Sequence, residues 1–176
     1  LSLLQDAGNS ATDHLEVGIM LSSDTSQAMV NRISGFLDYW SNYAPQQWNI
    51  AEDIYLNGGD ISKAQSDASR LLKKHEDLKG IFGCSNTSTT GIVNVLTEQE
   101  RTDVVMVGFD LADETRQFIQ NPDFYGASLM QKQDEMGYQG ILSLNALIDG
   151  NESGQKYFDT GIILIDENYL MENSVS

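Results

Sequence analysis

The chain has 176 residues, of which 40% are hydrophobic and 20% charged, with only 2 prolines; this is the make-up of one folded domain and not of a disordered segment. Its 26 acidic residues against 10 basic ones give a formal net charge of −16, which excludes the basic footprint that nucleic acids and anionic lipid surfaces require. The single cysteine, Cys84, excludes an internal disulfide and a cysteine-rich zinc cage, and no apolar run reaches the ~20 residues of a membrane-spanning helix. The chain opens at Leu1 without an initiator methionine, and is read as a processed or excised piece of something longer.

Taken in order, Leu3, Leu4, Ala7, Ala11 and Leu15 recur at helical spacing, so a short amphipathic helix is expected first. A strand follows at 16–21. Ser22, Ser23, Asp24 and Thr25 offer capping chemistry for a helix to about residue 43, whose apolar stripe is Met29, Ile33, Phe36, Leu37 and Trp40 and which Pro45 ends. A second strand is expected at 48–56. Then comes a turn at 57–60, where Gly58 and Gly59 permit positive φ and Asp60 can cap a helix over 61–75. The alternation continues with a strand at 80–84, a helix at 87–96, a strand at 104–109, a helix at 112–120, a strand at 125–130, a helix at 134–147 and a strand at 161–165. Strands alternating with helices of this length imply βαβ units, hence a three-layer α/β sandwich with a mainly parallel sheet flanked by helices.

The run Val-Val-Met-Val-Gly-Phe-Asp at 104–110 reads as a strand buried on both faces that delivers Phe109 and Asp110 at its carboxyl end. Ligands bind beyond the carboxyl ends of the strands in open α/β sheets. Other strand ends add Ser22, Ser23, Asp24, Asn57, Asp60, Ser85, Asn86, Thr87, Gln131 and Gln133, with Tyr55 nearby. Hydroxyls, amides and carboxylates beside an aromatic ring suit a neutral polyhydroxylated ligand better than a phosphate. Each Ser, Asp or Asn at such a junction is also a potential helix cap, and Asp110 shares that ambiguity. Arg32 stands between a ligand contact and a solvated helix-face arginine. His14 and His75 are expected at the surface or a helix end, and Cys84 in a buried strand. No nucleophile elbow, phosphate-cradling loop or dinucleotide fingerprint is present; no catalytic, metal or cofactor residue is assigned.

With these residues laid out, the chain resembles the C-terminal lobe of a type I periplasmic sugar-binding protein of the ribose- and galactose-binding group. The resemblance rests on Arg32-Ile-Ser-Gly35-Phe36, Leu78-Lys-Gly-Ile-Phe-Gly-Cys-Ser85-Asn86, Val107-Gly-Phe109-Asp110, and Gln131 leading to Met136-Gly137, in the family's order from about residue 16 onward. It implies one Rossmann-like lobe of a two-lobed binding protein. It also implies that Arg32 and Asp110 bind sugar hydroxyls, that Phe109 lies beside the sugar ring, and that Ser85, Asn86 and Gln131 complete the polar wall. The family shows Asn-Asp where this chain has Ser85-Asn86, and some members place a stacking aromatic where Gly59 stands. Residues 1–176 are then a single lobe, and residues 132–150 return in relatives to the N-terminal lobe that is missing here.

The function so implied is binding of a sugar for ABC-transporter uptake or extracellular sensing, without enzymatic activity. The expected partners are a small-molecule sugar, a transporter permease or membrane sensor, and no nucleic acid; the fragment itself can form a homodimer through the apolar residues of 132–150. The expected location is periplasmic or extracellular in a bacterium, secreted or lipid-anchored. The alternative is the effector-binding domain of a lactose-repressor-type transcription regulator, which shares Arg-x-x-Gly-Phe and Gly-Phe-Asp. Such regulators continue Gly-Phe-Asp with another Asp and a proline-containing segment, whereas this chain reads Leu111-Ala-Asp-Glu.

Overall fold

The structure is a computed structural model that describes residues 1–150 and 157–173. In chain order its elements are α1 (Ser2–Asp6), β1 (Leu15–Leu21), α2 (Gln27–Tyr43), β2 (Trp48–Leu56), α3 (Ile61–Lys74), β3 (Leu78–Gly83), α4 (Asn86–Glu98), β4 (Val105–Phe109), α5 (Asp113–Gln120), β5 (Gly126–Gln131), α6 (Gln133–Ile148), β6 (Ile162–Ile165) and α7 (Glu167–Glu172). The strands form one sheet in the order β2-β1-β3-β4-β5-β6. All neighbours are parallel except β6, which runs antiparallel to β5.

Both faces of this sheet are covered, and the alternation along β1 shows how. Leu15, Val17, Ile19 and Leu21 point toward α1 and α2, while Met20 joins the opposite core with Leu71, Ile81, Ile92, Leu96 and Met106. On β4 the same period sends Met106 and Gly108 toward α4, and Val105 and Phe109 toward α2. Gly18 lets Leu71 close onto β1, since a Cβ there would lie 2.3 Å from Leu71 Cδ2.

Several local signals act as their chemistry dictates, but Ser22, Ser23, Asp24 and Thr25 do not cap α2: its N-cap is Ser26, with no side-chain cap bond, and Ser23 and Thr25 bond each other instead. Asp60 caps α3 by accepting from the Lys63 amide at 2.8 Å, after a turn in which Gly58 and Gly59 have φ of 67° and 80°. Ala44 is extended before Pro45 and ends α2. His75 closes α3, with Nδ1 2.7 Å from Glu16 Oε2 on β1 and Nε2 3.2 Å from Asp53 Oδ2 on β2.

Three further expectations are corrected. The first helix is one turn long, because Gly8 takes φ 88° and breaks it, and Leu15 opens β1 instead of continuing a helical stripe. Leu37 is 38% exposed: Met29, Ile33, Phe36 and Trp40 make the inward stripe at spacings of four, three and four, and Leu37 lies one residue, about 100°, further round. The short α7 was not expected; Asp166 caps it by accepting from the Tyr169 amide at 2.8 Å, and Leu170 anchors it at 1% exposure.

Asp103, just before β4, is held well below the usual carboxylate range, chiefly by its hydrogen bonds from Arg101, with Lys79 adding and burial opposing. A carboxylate whose pKa is lowered by folding stabilises the fold above its unfolded value and loses that contribution as pH falls through the folded one. Asp103→Asn should therefore be less stable than wild type at pH 7, and the gap should close as pH drops below about 4. Urea titrations of both proteins across that range measure it; a gap that does not change with pH would contradict the assignment.

Candidate ligand-binding site

Because β1, β3, β4 and β5 are parallel, their carboxyl ends line one edge of the sheet, and the residues following them meet there. Asp110 follows β4 directly with φ 64°, a left-handed conformation uncommon for a residue other than glycine. Its amide donates to Leu129 O at 2.9 Å and its carbonyl accepts from Ser128 Oγ at 2.5 Å, so β5 holds its backbone in place. The N-cap of α5 is Ala112, with no side-chain cap bond, and no hydrogen bond within the described residues takes up the Asp110 carboxylate. Strained backbone fixed by its surroundings, with an uncommitted carboxylate, is a mark of a functional position.

Arg32 reaches this edge from α2. Its guanidinium carbon lies 3.8 Å from the centroid of the Phe109 ring, and Nη1 donates to Cys84 O, the last backbone carbonyl before Ser85, at 2.8 Å. Burial lowers the Arg32 pKa, while the charge of Asp110 works in the opposite direction. A planar cation stacked on a ring and hydrogen-bonded to a fixed carbonyl has one well-defined position. The structure thus makes Arg32 a half-buried, oriented group and not a solvated one. Phe109 itself is 7% exposed and lies beneath the arginine, where it supports the guanidinium.

The other expected residues divide into those exposed at the edge and those tied into the scaffold beneath it. Asn86 is exposed at the first position of α4, and Gln131 is half-buried at the end of β5. Ser85 caps α4 by accepting from the Ser88 amide at 3.2 Å, and its hydroxyl lies 3.0 Å from Ser88 Oγ. Asn57 is 1% exposed and committed inward: its amide donates to Ser88 Oγ at 2.7 Å and its oxygen accepts from the Gly59 amide at 3.0 Å. Asn57 and Asp60 are therefore structural. Ser23 bonds locally to Thr25. Tyr55, one residue before the carboxyl end of β2, packs against the α3-side core with Arg70 6.0 Å above its ring. Cys84 is fully buried, and burial pushes its thiol up to about 12.

Ser88 and Thr89 were not singled out by sequence reasoning, yet both lie directly beneath the edge and are fully buried. The available signal was Ser85 followed by Thr89 at i+4, a spacing at which a threonine hydroxyl can bond the carbonyl one turn back. Beside Arg32 and Phe109 an apolar groove of about 400 Å³ runs along α2, lined also by Phe36, Tyr39, Val107 and Leu129. The edge so built carries a cation, a carboxylate and two side-chain amides, with the Arg32 guanidinium and the Asp110 backbone held in place.

One helix lies open to solvent. None of the residues of α6 is buried, and Ile141, Leu144 and Leu147 are 60%, 53% and 64% exposed.

The chain is 24% identical over 98 residues to the ribose import binding protein of Escherichia coli, a match covering 56% of the chain and 33% of that protein. It is 28% identical over 116 residues to the D-apiose import binding protein of Paraburkholderia graminis, covering 64% of the chain and 34% of that protein. A crystal structure of an ABC transporter solute-binding protein from Agrobacterium vitis, bound with α-D-tagatopyranose, shares the fold with a TM-score of 0.84 and 19% identity, over 99% of this chain and 57% of that one. The chain thus spans well under two thirds of these relatives' lengths. The model of the periplasmic binding protein domain family matches residues 2–152, and the chain belongs to that family.

Proposed function

We propose that residues 1–176 are the C-terminal lobe of a two-lobed solute-binding protein that holds a sugar, or a similar polyhydroxylated small molecule, for ABC-transporter uptake or extracellular sensing. The observation that carries this reading is the placement of Arg32 and Asp110 at the same carboxyl edge, near enough for the Asp110 charge to act on the guanidinium: opposite charges, one stacked on Phe109 and one on a left-handed backbone. A vicinal diol can donate to the carboxylate and accept from the guanidinium at once. Both curated relatives are named as import binding proteins, which favours uptake over the effector domain of a transcription regulator. In this reading the protein is a binder and not an enzyme, acts in the periplasm or outside the cell, secreted or lipid-anchored, and has a transporter permease or membrane sensor as its partner.

A thermal-shift panel of mono- and disaccharides on the intact protein tests the reading. A ligand that binds only the native state raises apparent stability by mass action, so a subset of sugars should raise the midpoint in a concentration-dependent way. A panel in which no sugar shifts the midpoint would overturn it.

We assign residues 132–150 to contacts with the other lobe, because α6 presents its apolar residues to solvent in this chain alone. The isolated chain should then self-associate through α6, forming a homodimer at high concentration. Light scattering should show association that the double variant Leu144→Lys, Leu147→Lys abolishes. A chain that stays monomeric at high concentration would count against the assignment.

A further inference from the structure

We propose that Thr89 is a positioning residue: it locks the junction of β3 and α4 to the last residue of β4 and thereby holds Asp110 in its left-handed conformation. The inference deepens the proposed function, since the junction of β3 and α4 carries Ser85 and Asn86 and the end of β4 carries Phe109 and Asp110.

The argument begins with an unfilled place in the sheet. The pairing of β3 with β4 ends at Phe82↔Val107, although Gly83 still pairs with Met20 of β1 on the other side, before the chain turns at Ser85 into α4. Phe109 extends two residues beyond that pair, so its amide has lost the strand that would have accepted from it. The hydroxyl of Thr89, from the second turn of α4, takes that role: Oγ1 accepts from the Phe109 amide at 2.9 Å. The same hydroxyl donates its proton to Ser85 O at 2.9 Å, with Gly83 O at 3.5 Å. One buried side chain therefore joins both segments, and its β-branch restricts it to few rotamers.

Gly108 is matched to this arrangement. A Cβ at residue 108 would lie 2.3 Å from Thr89 Cγ2 and 2.5 Å from Oγ1, so the threonine occupies the space that the glycine leaves open. Asp110 is then fixed from two sides, by Thr89 through the preceding Phe109 amide and by Leu129 O and Ser128 Oγ through its own amide and carbonyl. A non-glycine residue persists in a sparsely populated region only where its surroundings over-determine it. Removing one of the two sides should release it.

Thr89→Val keeps the shape of the side chain and deletes the hydroxyl, whereas Thr89→Ser keeps the hydroxyl. In the full 176-residue chain, amide hydrogen exchange at Phe109 and Asp110 should speed up on the order of 10- to 100-fold in Thr89→Val relative to core amides such as Ile81 and Met106. The coupling constant that reports φ at Asp110 should move away from its left-handed value, and Thr89→Ser should restore both. If Phe109 and Asp110 exchange as in wild type, or change only in step with Ile81 and Met106, Thr89 is a packing residue and the proposal fails. This readout needs no sugar, so it stands or falls separately from the sugar-binding reading. With D-ribose and D-galactose as probes on the intact protein, Thr89→Val should also weaken whatever binding wild type shows by about 10-fold or more, with Thr89→Ser close to wild type.

Discussion

Asp110→Gly should weaken sugar binding by the intact protein on the order of 100-fold or more, because hydrogen bonds to a charged group are worth roughly 1.5–3 kcal/mol each and the carboxylate can accept two. Stability should move the other way or stay level. Asp110 sits at φ 64°, where a side chain costs about 1–2 kcal/mol that glycine does not incur, offset by the roughly 0.5–1 kcal/mol of extra unfolded-state freedom that glycine brings. A helix cap would behave differently, losing about 1 kcal/mol of stability with affinity hardly changed. Calorimetric titration and chemical denaturation of the same variant separate the two roles. If stability falls while affinity stays within a few-fold of wild type, Asp110 is not the ligand carboxylate.

The largest effect on folding is expected at Gly91, where α4 crosses α3. A Cβ there would lie 2.4 Å from Ala64 Cβ, 2.9 Å from the Ala64 carbonyl carbon and 3.0 Å from the Gln65 amide nitrogen, so the obstacle is largely backbone and cannot swing aside. Both Gly91 and Ala64 are buried, and the two helices form one wall of the main core. Gly91→Val should cost about 3 kcal/mol, the upper end of the roughly 1–3 kcal/mol that overpacking a core costs, because backbone atoms block the added methyl groups and the gain in helix propensity, under about 1 kcal/mol, offsets little of it. For a chain of this size that lowers the melting midpoint by roughly 6–12 °C. A midpoint within about 2 °C of wild type would show that the helices can part, contrary to the close packing described.

The parallel strands are legible in the sequence because burial on both faces leaves short apolar runs, such as residues 104–109, that no amphipathic helix would carry. Caps and turns are legible for a local reason: Asp60 after Gly58-Gly59 and Ser85 before α4 announce themselves within four residues. Distant partners are another matter. That Arg32 lies on Phe109 and bonds Cys84 O depends on how α2 settles across β3 and β4, over sequence separations that no local pattern encodes. Asn57 looks identical in sequence to a ligand-binding amide, and only its burial beside Ser88 shows that it supports the site from below. The fate of α1 was missed because Leu15 continues a helical spacing by coincidence, while the glycine at position 8 breaks the helix in between. The place of Asp110 was legible only as far as a strand end; its left-handed backbone is bonded to β5 and follows a Phe109 amide bonded to Thr89, partners that lie 18 to 20 residues away in sequence.

The central claim is that the sugar lies at the carboxyl edge of the sheet between Arg32 and Asp110. Amide and side-chain shift mapping on the isotope-labelled intact protein, with and without a saturating sugar from the thermal-shift panel, tests it most directly. The account predicts the largest changes at the Arg32 guanidinium, the Asn86 and Gln131 side-chain amides and the Asp110 backbone. Changes concentrated instead in the groove of about 390 Å³ between α4 and α5, at Asn94, Glu98, Glu114 and Phe118, with Arg32 and Asp110 unmoved, would contradict it.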